Sequence, residues 1–166
     1  MAEIENELIR TPTDLEILKN TIKYIIITPV RDEEHFIDKT ILSVINQTIV
    51  PVKWIIVNDG SKDKTGEIIE KYSKINNWIV PVHRPDRGFR KNGSGVMEAF
   101  YDGYKKIIEE FDFLVKLDGD LSFENDYFEK CFNKFKQNSK LGIGGGVITS
   151  IDGERKVLEK DVKFHV

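Results

Sequence analysis

Two aspartates one residue apart, Asp118 and Asp120 around Gly119, follow a short apolar run made of Phe113, Leu114, Val115 and Leu117, broken only by Lys116. A run of that kind reads as a buried strand of a mostly parallel sheet. The carboxylates therefore stand at a strand's carboxyl end, where open α/β sheets bind ligands. Carboxylate oxygens, completed by water and substrate phosphates, are what Mg²⁺ or Mn²⁺ accepts. Three other readings compete locally. Asp and Gly are common in plain turns. An EF-hand loop would use Asp118, Asp120, Ser122 and Glu129, but Phe123 stands where that loop needs Gly, and a strand precedes it where a helix should. A phosphatase with Asp118 as nucleophile and Asp120 as general acid also carries DxD after a strand. It needs that strand early, with Thr/Ser, Lys and acidic motifs after it, whereas here the strand comes late.

A second chemical stretch is the loop His83 to Ser94, HRPDRGFRKNGS, with Arg84, Arg87, Arg90 and Lys91 among glycines. It feeds a helix that Ser94 caps, so backbone donors, the helix dipole and guanidinium forks converge where a phosphate could sit. A solvated charged loop is the alternative. The loop is not a Walker motif, because Ser94 occupies the place of its lysine.

The elements that must position these residues follow a repeating plan. Tyr24 to Thr28 is a strand that Pro29 ends, and a charged turn leads to helical spacing at Ile37, Thr40, Ile41, Val44 and Ile45. Trp54 to Val57 is a second strand. Its turn, Asn58 to Ser61, leads to a helix opened by Asp63 with Ile68, Ile69, Tyr72 and Ile75 on one face. Trp78 to Val82 is a third strand, and Val96, Ala99, Phe100, Gly103 and Ile107 form the apolar stripe of the next helix. After the DGD turn comes a helix from about 124 to 136, then a glycine-rich, strand-like run at 141 to 149 whose glycines suggest close approach of another backbone or a ligand. Strands joined by helical crossovers imply a parallel, right-handed α/β sheet. Residues 1 to 21 read as a leader or short helix, 22 to 150 as the main domain, and 151 to 166 as a polar hairpin or arm that begins a further segment.

At 166 residues the chain has the length of one domain, and 40% hydrophobic with 32% charged residues is ordinary for a globular protein. The net charge of −3 gives no reason to expect nucleic acid as a partner. The single cysteine, Cys131, sits beside Phe128, Phe132 and Phe135 at helical spacing and reads as a core residue. No apolar run approaches the roughly twenty residues of a membrane span, and the N-terminus lacks signal-peptide order, so a cytoplasmic location is expected.

IITPVRDEE at 26 to 34, IIVNDGSKDKT at 55 to 65 and LVKLDGDLSF at 114 to 123 together resemble the three donor-site motifs of the family 2 inverting glycosyltransferases. The resemblance covers roughly residues 22 to 150. It implies the GT-A fold, a Rossmann-like three-layer sandwich with a mostly parallel central sheet that binds a nucleotide-diphosphate sugar. Carried over by position, Pro29, Arg31 and Glu33 would touch the nucleotide, although the family often has an aromatic where Arg31 stands. Asp59 would accept a hydrogen bond from the base, beside Asn58 where the family often has another Asp. Asp120 would bind Mn²⁺ or Mg²⁺, with Asp118 supporting the ribose or the metal shell and Gly119 between them. Arg87 and Lys91 of the basic loop would help neutralise the diphosphate. The partners implied are a UDP- or GDP-linked sugar and an acceptor that is a glycan, lipid carrier or small molecule, and a lipid-linked acceptor would bring the protein to a membrane surface. The resemblance puts the catalytic base in an acceptor half that this chain barely begins, and none of Glu154, Glu159 and Asp161 is assigned to it. The chain thus reads as a donor-binding half that stops early: an expressed fragment, a truncated product or a form completed by another chain. A nucleotide-binding module without catalysis is the rival reading, and a sugar nucleotidylyltransferase would need a Gly-rich loop where PVRDEE stands.

Overall fold

The computed structural model describes residues 22–88, 94–147, 149–152 and 155–158. Strands β1 (Tyr24–Val30), β2 (Lys53–Asp59), β3 (Ile79–Arg84) and β4 (Phe113–Lys116) form one sheet in the order β3-β2-β1-β4, with every pairing parallel. Helices α1 (Ile37–Ile45), α2 (Thr65–Ser73) and α3 (Ser94–Tyr104) make the crossovers, and α4 (Tyr127–Gln137) follows the DGD turn. The chain steps outward from β1 to β3, then returns through α3 to lay β4 on the other side of β1. That reversal creates a switch point at the carboxyl ends of β1 and β4.

Alternation along the strands sorts the core into two layers. Tyr24, Ile26, Trp54 and Ile56 face Ile37, Ile41 and Val44 of α1, Ile69 of α2, and Phe128 and Phe132 of α4. On the opposite face Ile25, Ile27, Ile55 and Val57 pack against Ala99 of α3. Each fully buried isoleucine contributes about 1.5–3 kcal/mol of transfer free energy, and β1 and β2 carry five of them, Ile25, Ile26, Ile27, Ile55 and Ile56. Gly103 lets α3 lie close to the sheet, since a Cβ there would come within 2.9 Å of Ile27 and Val57 methyl carbons. Two polar side chains in the core are paired: Trp54 Nε1 donates to Thr28 Oγ1 at 2.8 Å, and the Tyr24 hydroxyl donates to the Ile49 carbonyl at 2.6 Å.

Several boundaries differ from the sequence reading. Pro29 does not end β1, which continues to Val30 in register with Asn58. Ile27 accepts from the Leu117 amide on the β4 side, so Pro29, two residues on, turns its missing N–H toward a neighbour that has already ended. The third strand is shifted to Ile79–Arg84, and Ile75 lies beyond α2, largely exposed. Residues 141–147 are not a strand. Two of their four glycines accommodate close approach, but of aromatic side chains: a Cβ on Gly144 would meet the Phe135 ring at 3.0 Å, and one on Gly146 the Tyr127 hydroxyl at 2.6 Å, whereas one on Gly142 or Gly145 would meet nothing within 4 Å. A two-stranded antiparallel hairpin follows, β5 (Thr149–Asp152) with β6 (Arg155–Leu158). Cys131 is half-buried on α4, and burial pushes its thiol above the usual range, which suits the expected core role. No helix among the described residues is long and apolar enough to cross a membrane.

Thr28→Val should cost about 1–3 kcal/mol in urea unfolding, because it leaves the buried Trp54 indole N–H without an acceptor. A variant as stable as the parent would show that the indole finds another partner.

Candidate functional site

Pro29, Val30, Arg31 and Glu33 after β1, Asp59 at the end of β2, Gly95, Val96 and Ala99 on α3, and Asp118, Gly119 and Asp120 after β4 line one cleft of about 230 Å³ at the switch point. Each loop reaches it for a local reason. Asp32 adopts a positive φ of 57°, unusual for a non-glycine residue, and is held there from both sides: its amide donates to Ser61 Oγ at 3.0 Å and its Oδ1 accepts from the Lys62 amide at 2.8 Å. Next to it the Glu33 amide donates to Thr65 Oγ1 and the Glu34 amide to Asp63 Oδ2, while the Lys64 amide donates back to Glu34 Oε2. The β1–α1 and β2–α2 loops are thus stitched into one unit. Gly60, with φ 71°, completes the second loop, where a Cβ would strike the Asp86 backbone at 2.5 Å.

The DGD turn is wedged against the first loop. A Cβ on Gly119 would collide with Val30 Cγ1, and the Gly119 carbonyl accepts from Thr40 Oγ1 of α1 at 2.8 Å. Gly119 is buried while Asp118 and Asp120 on either side are exposed, so the turn projects both carboxylates outward. Asp118 Oδ1 accepts from Lys116 Nζ at 2.5 Å. The donor set suits a hard divalent cation. Among the described residues no group of three or more His, Cys, Asp or Glu side chains could form a closed cage, and two carboxylates that leave room for water and phosphate match what Mg²⁺ prefers.

Asp59 is the electrostatic centre. Its side chain is only 11% exposed and both oxygens are engaged, Oδ1 by Arg84 Nη1 at 2.6 Å and Oδ2 by Arg87 Nη2. Arg31 Nη1 donates to the Asp59 carbonyl at 3.0 Å and Nη2 to Asp86 Oδ1 at 2.8 Å. Helix α3 anchors the other two arginines: Arg84 Nε lies 3.0 Å from Asp102 Oδ2, and Arg87 Nη1 donates to Glu98 Oε2 at 2.8 Å. A carboxylate this buried requires such compensation. The Gly88 amide, with Lys62 and Arg31, holds the Asp86 carboxyl down at about 2, so Asp86 remains a charged anchor for Arg31. Asn58, where the resemblance suggests another Asp, has work for both ends of its amide: Oδ1 accepts from the Ser61 amide at 2.9 Å and Nδ2 faces His83 Nδ1 at 3.1 Å. A carboxylate could accept from the Ser61 amide but could not donate to His83.

Of the residues singled out in the sequence, Pro29, Arg31, Glu33, Asp59, Asp118, Gly119 and Asp120 line the cleft, and Arg87 reaches it through Asp59. Lys91 lies outside the described residues. Sequence reasoning missed the role of Arg84 as a partner of Asp59, and missed Asp86, Glu98 and Asp102 altogether. Glu98 and Asp102 are four apart on α3, a spacing that puts two acids on one helix face and could have paired them with the basic loop before them.

Comparison with known proteins agrees with this geometry. The profile of glycosyl transferase family 2 matches residues 25–161. An uncharacterized glycosyltransferase of Haemophilus influenzae is 34% identical over 113 residues, covering 68% of this chain and 42% of that protein. The uncharacterized glycosyltransferase EpsJ of Bacillus subtilis is 30% identical over 124 residues, covering 73% and 33%. The chain therefore spans about a third to two fifths of the length of these relatives. Among solved structures, S. aureus TarS 1-349 superposes with a TM-score of 0.57 at 20% identity, covering 76% of this chain and 38% of that one. The mannosyltransferase PcManGT of Pyrobaculum calidifontis, solved with GDP-Man and Mn²⁺, gives 0.53 at 14% identity, covering 68% and 32%. At those identities the likeness speaks to the fold, which is GT-A. With its fold, its three loops at one switch point and the profile match all in agreement, this chain belongs to glycosyl transferase family 2.

Proposed function

We propose that this chain binds the donor of a metal-dependent glycosyltransferase, a nucleotide-diphosphate sugar, whose sugar passes with inversion to an acceptor hydroxyl. The observation that carries the reading is the meeting of the Asp59 turn, the DGD turn and the Arg31–Glu33 loop in one cleft. Asp59 accepts from the base, and Pro29, Arg31 and Glu33 form the wall along the nucleoside. Asp120 and Asp118 would hold Mg²⁺ or Mn²⁺, and Gly119 lets the turn that carries them pack against Val30. When bound, such an ion offsets the negative charge that develops on the departing nucleoside diphosphate. Arg87 and Lys91 of the basic loop add positive charge on the same side. Inversion requires a base at the acceptor hydroxyl, whereas all of these residues act on the donor. TarS has been solved with UDP and with UDP-GlcNAc, and PcManGT with GDP-Man and Mn²⁺, which supports a nucleotide-sugar donor for a chain of the same fold. A phosphatase is disfavoured because its DxD strand would come early, whereas here it is β4, the fourth strand among the described residues.

Calorimetric titration with UDP and GDP, each with and without Mn²⁺, tests the reading, and metal-dependent binding of at least one is expected. Asp120→Asn should remove the Mn²⁺-dependent part of that affinity, about tenfold or more, and leave the unfolding midpoint nearly unchanged because the side chain is exposed. Retained Mn²⁺ dependence would overturn the metal assignment. Asp59→Ala should weaken nucleotide binding about tenfold with or without Mn²⁺, in a protein whose circular dichroism still reports the fold; an unaltered dissociation constant would remove Asp59 from the base contact.

A further inference from the structure

Asn58 closes the turn that follows β2. Its Oδ1 accepts from the Ser61 amide at 2.9 Å, a bond that spans Asp59 and Gly60, and Ser61 Oγ in turn accepts from the Asp32 amide of the first loop. Asn side chains commonly pin turns in this way. The other end of the same amide faces His83 Nδ1 at 3.1 Å, across the parallel pairing of β2 with β3.

Hydrogen-bond accounting fixes the state of that ring. A backbone N–H can only donate, so Asn58 must present Oδ1 to Ser61 and therefore Nδ2 to His83. Nδ2 is also a donor, so His83 Nδ1 must accept and carries no proton. The proton of the neutral ring is then on Nε2, which donates to Glu70 Oε1 of α2 at 2.8 Å. A charged imidazolium donates from both nitrogens. It would keep its bond to Glu70 and turn a second N–H against the Asn58 amide. An amide that flipped to answer it would carry the same conflict to Ser61. Either way one hydrogen bond of the chain from ring to turn is lost.

The inner edge of the ring is closely covered. Asn58 is buried, and Gly66 in the first turn of α2 lies over the contact, where a Cβ would come within 2.9 Å of Asn58 Nδ2 and 3.6 Å of His83 Cε1. The outer edge is open: the side chain is 44% exposed, beside Glu67, Glu70, Lys71 and Lys74 of α2. Strand alternation sends Asp59 of β2 and Arg84 of β3 to the opposite face, toward Asp102 of α3, so the charges that face the ring are those of α2. Glu70 favours the charged ring and Asn58 the neutral one, and only the second choice holds the turn.

We propose that His83 is a positioning residue for the donor site: as the neutral Nε2–H tautomer it holds the Asn58 amide that closes the Asp59–Gly60 turn, and a second proton on the ring releases that hold, so that donor affinity falls as the ring becomes charged. The affinity clause rests on the donor-site reading above, whereas the hold on the turn does not.

The test pairs calorimetry with NMR on the full chain. UDP and GDP are titrated in Mn²⁺ at about pH 8 and about pH 5.5, either side of the range in which imidazole takes up its second proton, for the parent, His83→Asn and Asn58→Asp. The ligand's own ionisation cancels when parent and variant are compared at each pH. On acidification the parent should lose about threefold or more affinity beyond what His83→Asn loses, because an asparagine there offers Asn58 an acceptor oxygen that does not titrate. Asn58→Asp can accept from both the Ser61 amide and a charged ring, so it should show none of the excess loss. A merely structural histidine would cost the same factor at both pH values when replaced. In the parent the ring-nitrogen resonances at the higher pH should report a protonated Nε2 and a bare Nδ1, and the Ser61 amide resonance should move as the ring titrates but stay still in His83→Asn. The opposite tautomer, or equal acid losses in the parent and His83→Asn, would overturn the proposal. Excess loss that persists in Asn58→Asp would overturn the route through Asn58. If neither nucleotide binds the folded parent at either pH, the donor-site reading falls and the affinity clause with it, while the ring tautomer and the Ser61 amide still decide whether His83 holds the turn.

Discussion

Strand β1 is enclosed on every side. β2 and β4 pair with its two edges, α1 and α4 cover one face and α3 the other, so Tyr24 to Thr28 has no contact with water. A segment so enclosed tolerates few charges, and β2 beside it is nearly as restricted. Polar chemistry is therefore displaced to the places where these strands leave the sheet. Because the strands are parallel, all of those exits lie at one end, and because the strand order reverses at β1, the exits of β1 and β4 diverge and leave a cleft between them. The site is a consequence of how the core is closed.

Within the cleft the charges divide by burial. Asp59 is deep and fully compensated, as a carboxylate with little solvent must be. Asp118 and Asp120 are shallow and largely left to solvent. A deep carboxylate with fixed partners suits recognition of a neutral hydrogen-bonding group, whereas shallow ones are cheaply available to a cation. The same residue type thus stands in two environments, at the last residue of β2 and just past β4, and depth distinguishes them.

Much of this was legible in the sequence, because the relevant signals are local. Apolar strands ending on Asp59 and on Asp118-Gly119-Asp120 fix which residues can stand at the sheet's edge, and helical spacing of Ile37, Thr40, Ile41 and Val44 fixes the face that closes the core. What escaped was non-local. Pro29 reads as a strand end because its missing donor is visible in the sequence, but the early end of β4, which makes that donor unnecessary, is not. The run at 141 to 147 has the residues of a strand, yet Gly144 and Gly146 are set by the rings of Phe135 and Tyr127 on α4. The arginine partners of Asp59 are held by α3, which crosses to the far face of the sheet, so the part played by Glu98 and Asp102 went unread.

The stitching of the β1–α1 loop to the β2–α2 loop bears on how a ligand would be received. Loops at binding sites are commonly the mobile parts of a fold, and much of an association's free energy is then lost in freezing them. Here Asp32, Glu33 and Glu34 are already tied to Ser61, Lys62, Asp63, Lys64 and Thr65 through exchanged backbone and side-chain hydrogen bonds. The wall of the cleft is stiff before anything enters it, so the entropy of arrival falls mainly on the ligand, and the two loops respond to a visitor as a single body.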